Sequence, residues 1–270
     1  MRAIFSLFVM ILALASTPRA EAHEFWLSPE QYQVAPGAPI RADIRVGQNF
    51  KGAAYSYVPI NVARFDIVTG GVITPVTARM GDRPALSTAM PGEGLIVIVH
   101  ETTDTMLTYS EWQKFADFVT HKAFPDALER HAARGLPRTG FRESYRRFAK
   151  SLIAVGDGAG QDHAVGLETE IVALANPYTD ALPAGLPIQA LYQGAPRQGA
   201  QIEVFEKAPD GTVHTVFLTT DANGHTDVPV KPGHEYLLDA VVLRDTGNDD
   251  PKAGPVWRSL WASLTFRMPE

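Results

Sequence analysis

The stretch "QIEVFEKAPDGTVHTVFLTTDANGHTDVPVKPGHEYLLDAVVL", residues 201–243, decides the fold class of this chain. Within it, short runs rich in Val, Phe, Leu and Tyr are separated by the turn sequences "PDG", "DANG" and "KPG". Turn sequences repeated about every 8 to 12 residues are typical of an all-β sandwich. The carboxyl-terminal part of the chain is therefore predicted to be a β-sandwich.

The amino-terminal part carries the same kind of pattern. Its strand-like runs are broken by Pro and Gly and include "PIRADIRVG" (39–47), "VARFDIVTGGVITPV" (62–76) and "GLIVIVHE" (94–101). In "ADIRVGQNF" (42–50) apolar and polar residues alternate, as expected of a strand with one buried face. This part is also predicted to be built from strands.

Two helices are predicted between these strand-rich parts. The first follows "SEWQ" (110–113), which has the form of a capping box, and its apolar residues recur at helical spacing: Trp112, Phe115, Phe118 and Val119. The second is predicted over 141–155, ahead of Gly156, from a stripe of apolar residues three or four positions apart: Phe141, Tyr145, Phe148, Leu152 and Val155. The cations beside that stripe are predicted to form a solvated face: Arg142, Arg146, Arg147 and Lys150.

These patterns together predict a mainly β architecture of two immunoglobulin-like β-sandwich units. We place the first unit at 23–180, with a helical insertion at about residues 110–156, and the second at 181–270.

Residues 1–22 have the layout of a secretory signal peptide. Arg2 precedes the apolar run "AIFSLFVMILALA" (3–15), and Ala20 and Ala22 occupy the positions of a small-x-small cleavage site. The run is shorter than the roughly 20 apolar residues of a membrane-spanning helix, so no membrane insertion is expected after cleavage. Cleavage after Ala22 would make His23 the first residue of a periplasmic or secreted protein. Cuts after Ala15 or Ala20 would instead leave His23 inside the chain.

Composition narrows the possible partners and chemistries. The formal net charge is −6, and an acidic surface makes nucleic acid and anionic membrane surfaces poor partners. The chain has no cysteine, which excludes a disulfide framework, a thiolate metal site and a thiol nucleophile. No zincin, P-loop or nucleophile-elbow motif is present either. Because there is no cysteine, any metal ion would be held by His, carboxylate, Met or the chain's own amino group. Because no catalytic motif is present, no enzymatic activity is predicted.

Several segments together resemble a known family. They are "AHEFWLSP" (22–29), "VGQNFKG" (46–52), "FRESYRRFAKSLIAVG" (141–156), "LETEIVALANPY" (167–178) and "WASLTF" (261–266). The chain resembles the exported bacterial proteins numbered 4198 among the domains of unknown function. The resemblance implies a periplasmic protein associated with nickel or cobalt uptake, and it carries over His23, which opens the "HxFW" segment. Residues 186–243 also resemble the transthyretin-like or carboxypeptidase-regulatory type of immunoglobulin-like module.

An amino-terminal histidine is a metal chelate in itself. The α-amino group and the imidazole Nδ1 of His23 would close a six-membered ring on a metal ion, and an amino pKa of about 7.7 to 8.0 lets a metal displace the proton at neutral pH. With further imidazoles the site would be rich in nitrogen, which suits Cu(II) or Ni(II). A divalent transition metal (Ni, Co or Cu) is therefore the predicted cofactor.

Two further histidines are candidate ligands beside His23. His100 ends the apolar run "LIVIV" and is followed by Glu101, so it is predicted to be held rigidly where a strand emerges. His121 follows Asp117 by four residues on the first predicted helix, and that carboxylate could orient its imidazole. The alternative is that His121 is a surface residue beside Lys122. The other histidines are predicted at a solvated helix end, in a loop, or at strand and turn positions: His131, His163, His214, His225 and His234.

Three functions are compatible with these features. The first is a periplasmic protein that binds Ni, Co or Cu for uptake or buffering, with a membrane metal transporter as its partner. The second is a copper-dependent oxidase that uses the same histidine chelate to activate oxygen. The third is a non-catalytic β-sandwich module that binds a polypeptide or a glycan. The first ranks highest because it needs only the chelate.

Overall fold

A computed structural model describes residues 23–89 and 92–270 of the chain. The signal peptide prediction, at residues 1–22, lies outside the described residues. The strands are β1 (Glu24–Pro29), β2 (Gln33–Val34), β3 (Pro39–Gln48), β4 (Lys51–Tyr55), β5 (Val62–Thr69), β6 (Val72–Pro75), β7 (Leu86–Ala89), β8 (Gly94–Thr102), β9 (Thr105–Tyr109), β10 (Phe141–Val155), β11 (Thr169–Ala173), β12 (Leu186–Tyr192), β13 (Ala195–Pro196), β14 (Gln201–Lys207), β15 (Val213–Thr219), β16 (His225–Val228), β17 (Glu235–Asp245) and β18 (Trp257–Arg267). The helices are α1 (Trp112–His121), α2 (Ala127–Ala133) and a 3-10 turn at Pro59–Asn61. The mainly β, sandwich-class prediction is confirmed.

One ten-stranded sheet, the central sheet, organises the molecule. Its order is β15-β14-β17-β18-β10-β8-β5-β6, and β2 and β9 add to β10. The pairing of β10 with β18 is parallel, whereas β18 pairs with β17 in antiparallel fashion along its whole length. A strand from the middle of the sequence and two from its carboxyl-terminal part therefore meet in the middle of one sheet.

One face of the central sheet is covered by a smaller sheet of β11, β12, β13 and β16. Between them lies the largest apolar core, in which Phe148 and Leu152 of β10 and Leu264 of β18 pack against Ile171 and Ile188. All five side chains are almost completely buried. Burial of this kind is the main free-energy gain of folding.

The opposite face of the central sheet carries two covers side by side. The first is the amino-terminal sheet of β1, β3, β4 and β7, whose Leu27 and Ile40 pack with Ile153 of β10. The second is the pair of helices, whose Phe115 packs with Trp257 of β18. The start of β1 and the end of α1 consequently come together over the same part of the central sheet.

The turn between β3 and β4 explains the segment "VGQNFKG". Gln48 pairs with Lys51, and the two residues between them have positive φ angles, 53° at Asn49 and 57° at Phe50, as a type I′ hairpin requires. Phe50 then meets Trp26 of β1 edge-on, with ring centroids 5.5 Å apart. A side chain at Gly52 would lie 2.7 Å from Cη2 of Trp26, so this glycine permits the close approach.

The predicted second helix is wrong, because Phe141–Val155 forms the long strand β10. The three- and four-residue steps of its apolar side chains arise because β10 is buried on both faces over its second half, which removes the two-residue alternation of a half-exposed strand. The predicted solvated face is also corrected at Lys150, whose side chain is only 1% exposed and lies between two carboxylates. The helical insertion thus reduces to α1 and α2.

The first predicted helix is confirmed as α1, with Phe115, Phe118 and Val119 on its buried side. Its capping box is wrong, because α1 begins at Trp112 after Glu111, and no side chain caps it. None of the helices within 23–89 and 92–270 is long and apolar enough to cross a bilayer.

The predicted unit limits of 23–180 and 181–270 meet in the loop between β11 and β12. The central sheet contains strands from both sides of that limit. The two units stay a prediction, and a division at that limit separates β10 from its neighbour β18.

Candidate functional site

His23 is exposed and lies just ahead of β1. Its backbone carbonyl accepts a hydrogen bond from Nη2 of Arg147, at 3.3 Å. The guanidinium of Arg147 lies over the rings of Phe25 and Tyr145, at 5.6 and 4.8 Å from their centroids. Cation–π contacts of this kind hold the guanidinium in place, so the chain entry at His23 is fixed on the central sheet.

The residue after His23 belongs to a cluster of charged side chains, which we call the Glu24 cluster: Glu24, His121, Lys122, Glu203 and Asp239. Lys122 caps the carboxyl end of α1, and Glu203 of β14 pairs in register with Asp239 of β17. Nζ of Lys122 donates to Oε2 of Glu203 at 2.6 Å and to Oδ2 of Asp239 at 2.8 Å. The side chains of these three residues are at most 4% exposed.

Glu24 is the unpaired member of the cluster. It is 4% exposed, and its Oε2 has no hydrogen-bond partner. Burial raises the pKa of Glu24 to about 8, the charge of Asp239 adds to the rise, and Lys122 opposes it. Glu24 is therefore protonated at neutral pH, and a cation arriving nearby would displace its proton.

The other two carboxyl groups differ in their protonation. Burial raises the pKa of Asp239, against the opposing charge of Lys122. Burial also opposes the ionisation of Glu203, but the hydrogen bond from His121 and the charge of Lys122 outweigh it and lower the Glu203 pKa. Glu203 and Asp239 thus share one buried ammonium, and Glu24 adds a third buried carboxyl group whose Oε2 has no partner, which leaves the cluster short of positive charge.

His121 has a carboxylate partner, but not the one predicted. Its Nε2 lies 3.1 Å from Oε1 of Glu203, whereas Asp117 accepts from Gln113. Although Asp117 lies four residues before His121 on α1, the imidazole bonds instead to Glu203, which approaches from the sheet beneath the helix. The side chain of His121 is 52% exposed, so the imidazole remains accessible to a ligand.

The prediction that His100 is a metal ligand does not fit the structure. Its side chain is 1% exposed, between Phe25 at 5.3 Å and Phe65 at 5.1 Å, and neither ring nitrogen has a hydrogen-bond partner. Burial lowers the pKa of His100 to about 3. Because β8 is covered on this face by β1, the strand end does not open to solvent as predicted.

His131, predicted to be solvated, is also buried. Its Nδ1 accepts from Nε1 of Trp257 at 3.0 Å, so its Nε2 carries the proton and faces the carbonyl of Pro137 at 3.0 Å. Burial lowers its pKa, in keeping with a neutral ring. His163 is exposed in its loop, as predicted.

Among residues 23–89 and 92–270, no group of three or more His, Asp or Glu side chains is arranged to hold a metal ion. Of the three predicted ligands, His121 belongs to the Glu24 cluster, His23 directly precedes Glu24 in the chain, and His100 lies elsewhere, between Phe25 and Phe65. A cleft of about 550 Å³ opens beside β1, lined by Trp26, Arg45 and Phe50 among others. Neither His23 nor Glu24 lines that cleft, so it is separate from the Glu24 cluster.

Of the Glu24 cluster, the sequence pointed only to His121. Glu203 in "AQIEVFE" and Asp239 in "EYLLDAVVL" are charges inside apolar strand runs, and that position was the available signal. Nothing in the sequence indicated that Lys122 is buried and Arg147 half-buried. A lysine at a helix end, such as Lys122, or an arginine beside an apolar stripe, such as Arg147, is usually solvated.

The chain was compared with known proteins. It matches the family model described as "Domain of unknown function (DUF4198)" over residues 20–244. No curated protein matches it.

Three solved structures show weak similarity. The tetra-tandem repeat in the extending region of a large adhesion protein is 11% identical (91% of this chain, 49% of that chain, TM-score 0.20). The D0-D1 domain of intimin is 12% identical (89% and 97%, TM-score 0.22), and a Salmonella alpha-2-macroglobulin mutant is 14% identical (95% and 16%, TM-score 0.25). The chain thus spans about half of the adhesion-protein structure and a small part of the macroglobulin.

These likenesses assign no function, whereas the family match covers most of the sequence. The protein therefore belongs to the DUF4198 family.

Proposed function

We propose that this is an exported protein that binds a divalent transition metal ion (Ni, Co or Cu) through His23, after signal cleavage behind Ala22 has freed its amino group. The proposal rests on one observation: exposed His23 directly precedes buried Glu24, whose carboxyl group has an oxygen without a hydrogen-bond partner in a cluster short of positive charge. In this role the protein would buffer the metal in the periplasm or pass it to a membrane transporter.

The chemistry of the two neighbouring residues supports the proposal. The amine and imidazole of His23 form the chelate, and a metal there would be attracted by the carboxyl groups of the Glu24 cluster. Binding would release the proton that Glu24 holds at neutral pH, because its pKa is about 8. His121, accessible and hydrogen-bonded to Glu203, is our candidate for a further imidazole ligand.

The test is calorimetric titration of the exported, processed protein with Ni²⁺, Co²⁺ and Cu²⁺, after intact mass has established that the chain starts at His23. We expect one tight site per chain. A matched form with a single Gly placed before His23 keeps the imidazole but moves the free amine to the added residue. We expect this form to bind the metal at least roughly 100-fold more weakly, because even residues that only hydrogen-bond to metal ligands contribute about 10 to 100-fold to the affinity. Equal affinity of the two forms, or a processed chain that starts elsewhere, would contradict the proposal.

Two variants separate the roles of the cluster residues. Glu24→Gln should release one proton fewer on metal binding, measured by titration in buffers of different ionisation enthalpy, and should weaken binding about 10 to 100-fold. His100→Phe is the control, because His100 is enclosed by Phe25 and Phe65 and should not affect the affinity.

A further inference from the structure

A second group of charges lies on the other face of the central sheet and takes no part in the proposed metal site. Lys150 of β10, Asp162 of the following loop and Glu170 of β11 have side chains that are at most 1% exposed. Nζ of Lys150 is 2.8 Å from Oδ1 and 2.9 Å from Oδ2 of Asp162, and 3.0 Å from Oε1 of Glu170. The amine therefore faces the whole carboxyl group of Asp162.

Backbone amides hold both carboxyl groups in position. Oδ2 of Asp162 accepts from the backbone N–H of Ala173 at 2.9 Å, and Oδ1 accepts from that of His163 at 2.9 Å. Glu170 accepts from Val165 at 2.8 Å and from Leu167 at 3.3 Å. Each oxygen of the Asp162 carboxyl group thus has one backbone N–H aimed at it, so the oxygen that becomes negative during a reaction at Cγ already has a donor.

We propose that Lys150 and Asp162 condense into an intramolecular amide, with Glu170 as the proton carrier. Glu170 takes a proton from the Lys150 ammonium, and the free amine attacks Cγ of Asp162. The oxygen that stays on Cγ becomes negative and is stabilised by the backbone N–H already bonded to it, that of Ala173 for Oδ2. The Nζ–Cγ bond forms, the bond from Cγ to the hydroxyl of the protonated Asp162 breaks, and Glu170 returns its proton to the leaving hydroxyl, which departs as water. Glu170 then takes the second proton from the new amide nitrogen, so the charges of one ammonium and one carboxylate disappear and no oxidant or reductant is needed.

The surroundings favour condensation over a permanent ion pair. Phe148 and Leu152, the neighbours of Lys150 on the same face of β10, belong to the main apolar core, which excludes the water that would reverse the reaction. Burying one ammonium with two carboxylates is costly, and amide formation removes one charge of each sign. Burial also raises the pKa of Asp162, which favours the protonated acid that loses its hydroxyl. Nucleophile and carboxyl group are already within contact distance, as such a reaction requires.

The intact mass of the folded wild-type protein tests the proposal directly. We expect it to be lower than the mass of the polypeptide by one water molecule. Trypsin should fail to cut after Lys150, and a protease that cuts before Asp157, which lies between the two residues, should leave the pieces joined. A wild-type protein with its full mass and a free Lys150 would overturn the proposal.

Three variants identify the source of the lost water. Asp157 and Asp210 each precede a glycine, and cyclisation at such a site also loses water. Lys150→Arg should restore the full mass if the amide is the source and leave the loss unchanged if a cyclised Asp is. Glu170→Gln keeps the size of the side chain and should also restore the full mass. Asp162→Asn should lose ammonia in place of water. Unchanged water loss in either of the first two variants would count against the assignment.

Discussion

Buried ionisable side chains are the residues in which this protein departs furthest from ordinary solution behaviour. Glu24 holds a proton at neutral pH, Asp239 and Glu203 share the ammonium of Lys122, and His100 is neutral with two unbonded ring nitrogens. A buried polar group without a partner costs about 1 to 3 kcal/mol, so each such group lowers the stability of the fold.

The first prediction concerns His100. Replacing it by Phe keeps an aromatic ring between Phe25 and Phe65 and removes both unbonded nitrogens, so we expect the free energy of unfolding at pH 7 to rise by about 1 kcal/mol. Urea unfolding followed by circular dichroism measures the change. A loss of stability in His100→Phe would mean that the ring nitrogens have partners.

The difference in unfolding free energy between His100→Phe and the wild type should depend on pH. The folded-state pKa of His100 is about 3, below the unfolded value of about 6.5, so below pH 6.5 the unfolded chain binds more protons than the folded one. The wild type should therefore lose about 1.4 kcal/mol per pH unit as the pH falls from 6.5 towards 3, and His100→Phe should lack this loss. The advantage of the variant should widen by about 2 kcal/mol between pH 6.5 and pH 5. His214→Phe, at an exposed position, is the control and should follow the wild type.

At the level of elements, β10 shows where sequence patterns reach their limit. β3 and β8 could be predicted because turn residues lie at their ends. In β3 polar and apolar residues alternate, and β8 begins with a continuous apolar run. β10 combines a partly buried first half with a second half buried on both faces, and buried Glu143 and Lys150 break its apolar run. Its apolar residues then fall by chance on a helical stripe, and only the presence of β18 and β8 on either side decides that the segment is extended.

A pair of substitutions distinguishes strand from helix over 141–155. Leu152 lies on the predicted helical stripe and Ile153 lies off it, but in the strand they point into different cores and both are fully buried. We expect Leu152→Ala and Ile153→Ala each to cost about 2 to 5 kcal/mol of unfolding free energy, measured by chemical denaturation. A helix would make Ile153→Ala nearly neutral. Thr108→Ala, at an exposed position of β9, is the control.

The molecule as a whole depends on contacts between distant parts of the sequence. The sequence indicates the sandwich class, most strands and His23, because these are local patterns. It does not indicate that β1 meets α1 above β14 and β17, which is what assembles Glu24, Lys122, Glu203 and Asp239. Such a cluster is a product of topology, and a single sequence carries only its isolated charges.

The continuity of the central sheet predicts cooperative unfolding. Because β18 is paired with both β10 and β17, loss of either half removes a neighbour from the middle of the sheet. We expect tryptophan fluorescence and circular dichroism to report one coincident denaturant transition, and residues 181–270 alone to remain unfolded. Two separate transitions would contradict this prediction and support independent units.

The position of β18 also bears on the order in which the chain is made. This strand is the last one along the chain, yet it occupies the middle of the central sheet. A growing polypeptide that has not yet reached Trp257 leaves β10 and β17 each with an empty edge, so the final sheet cannot close during synthesis. The same position of β18 means that a premature stop just before Trp257 would remove the centre of the sheet and not its margin.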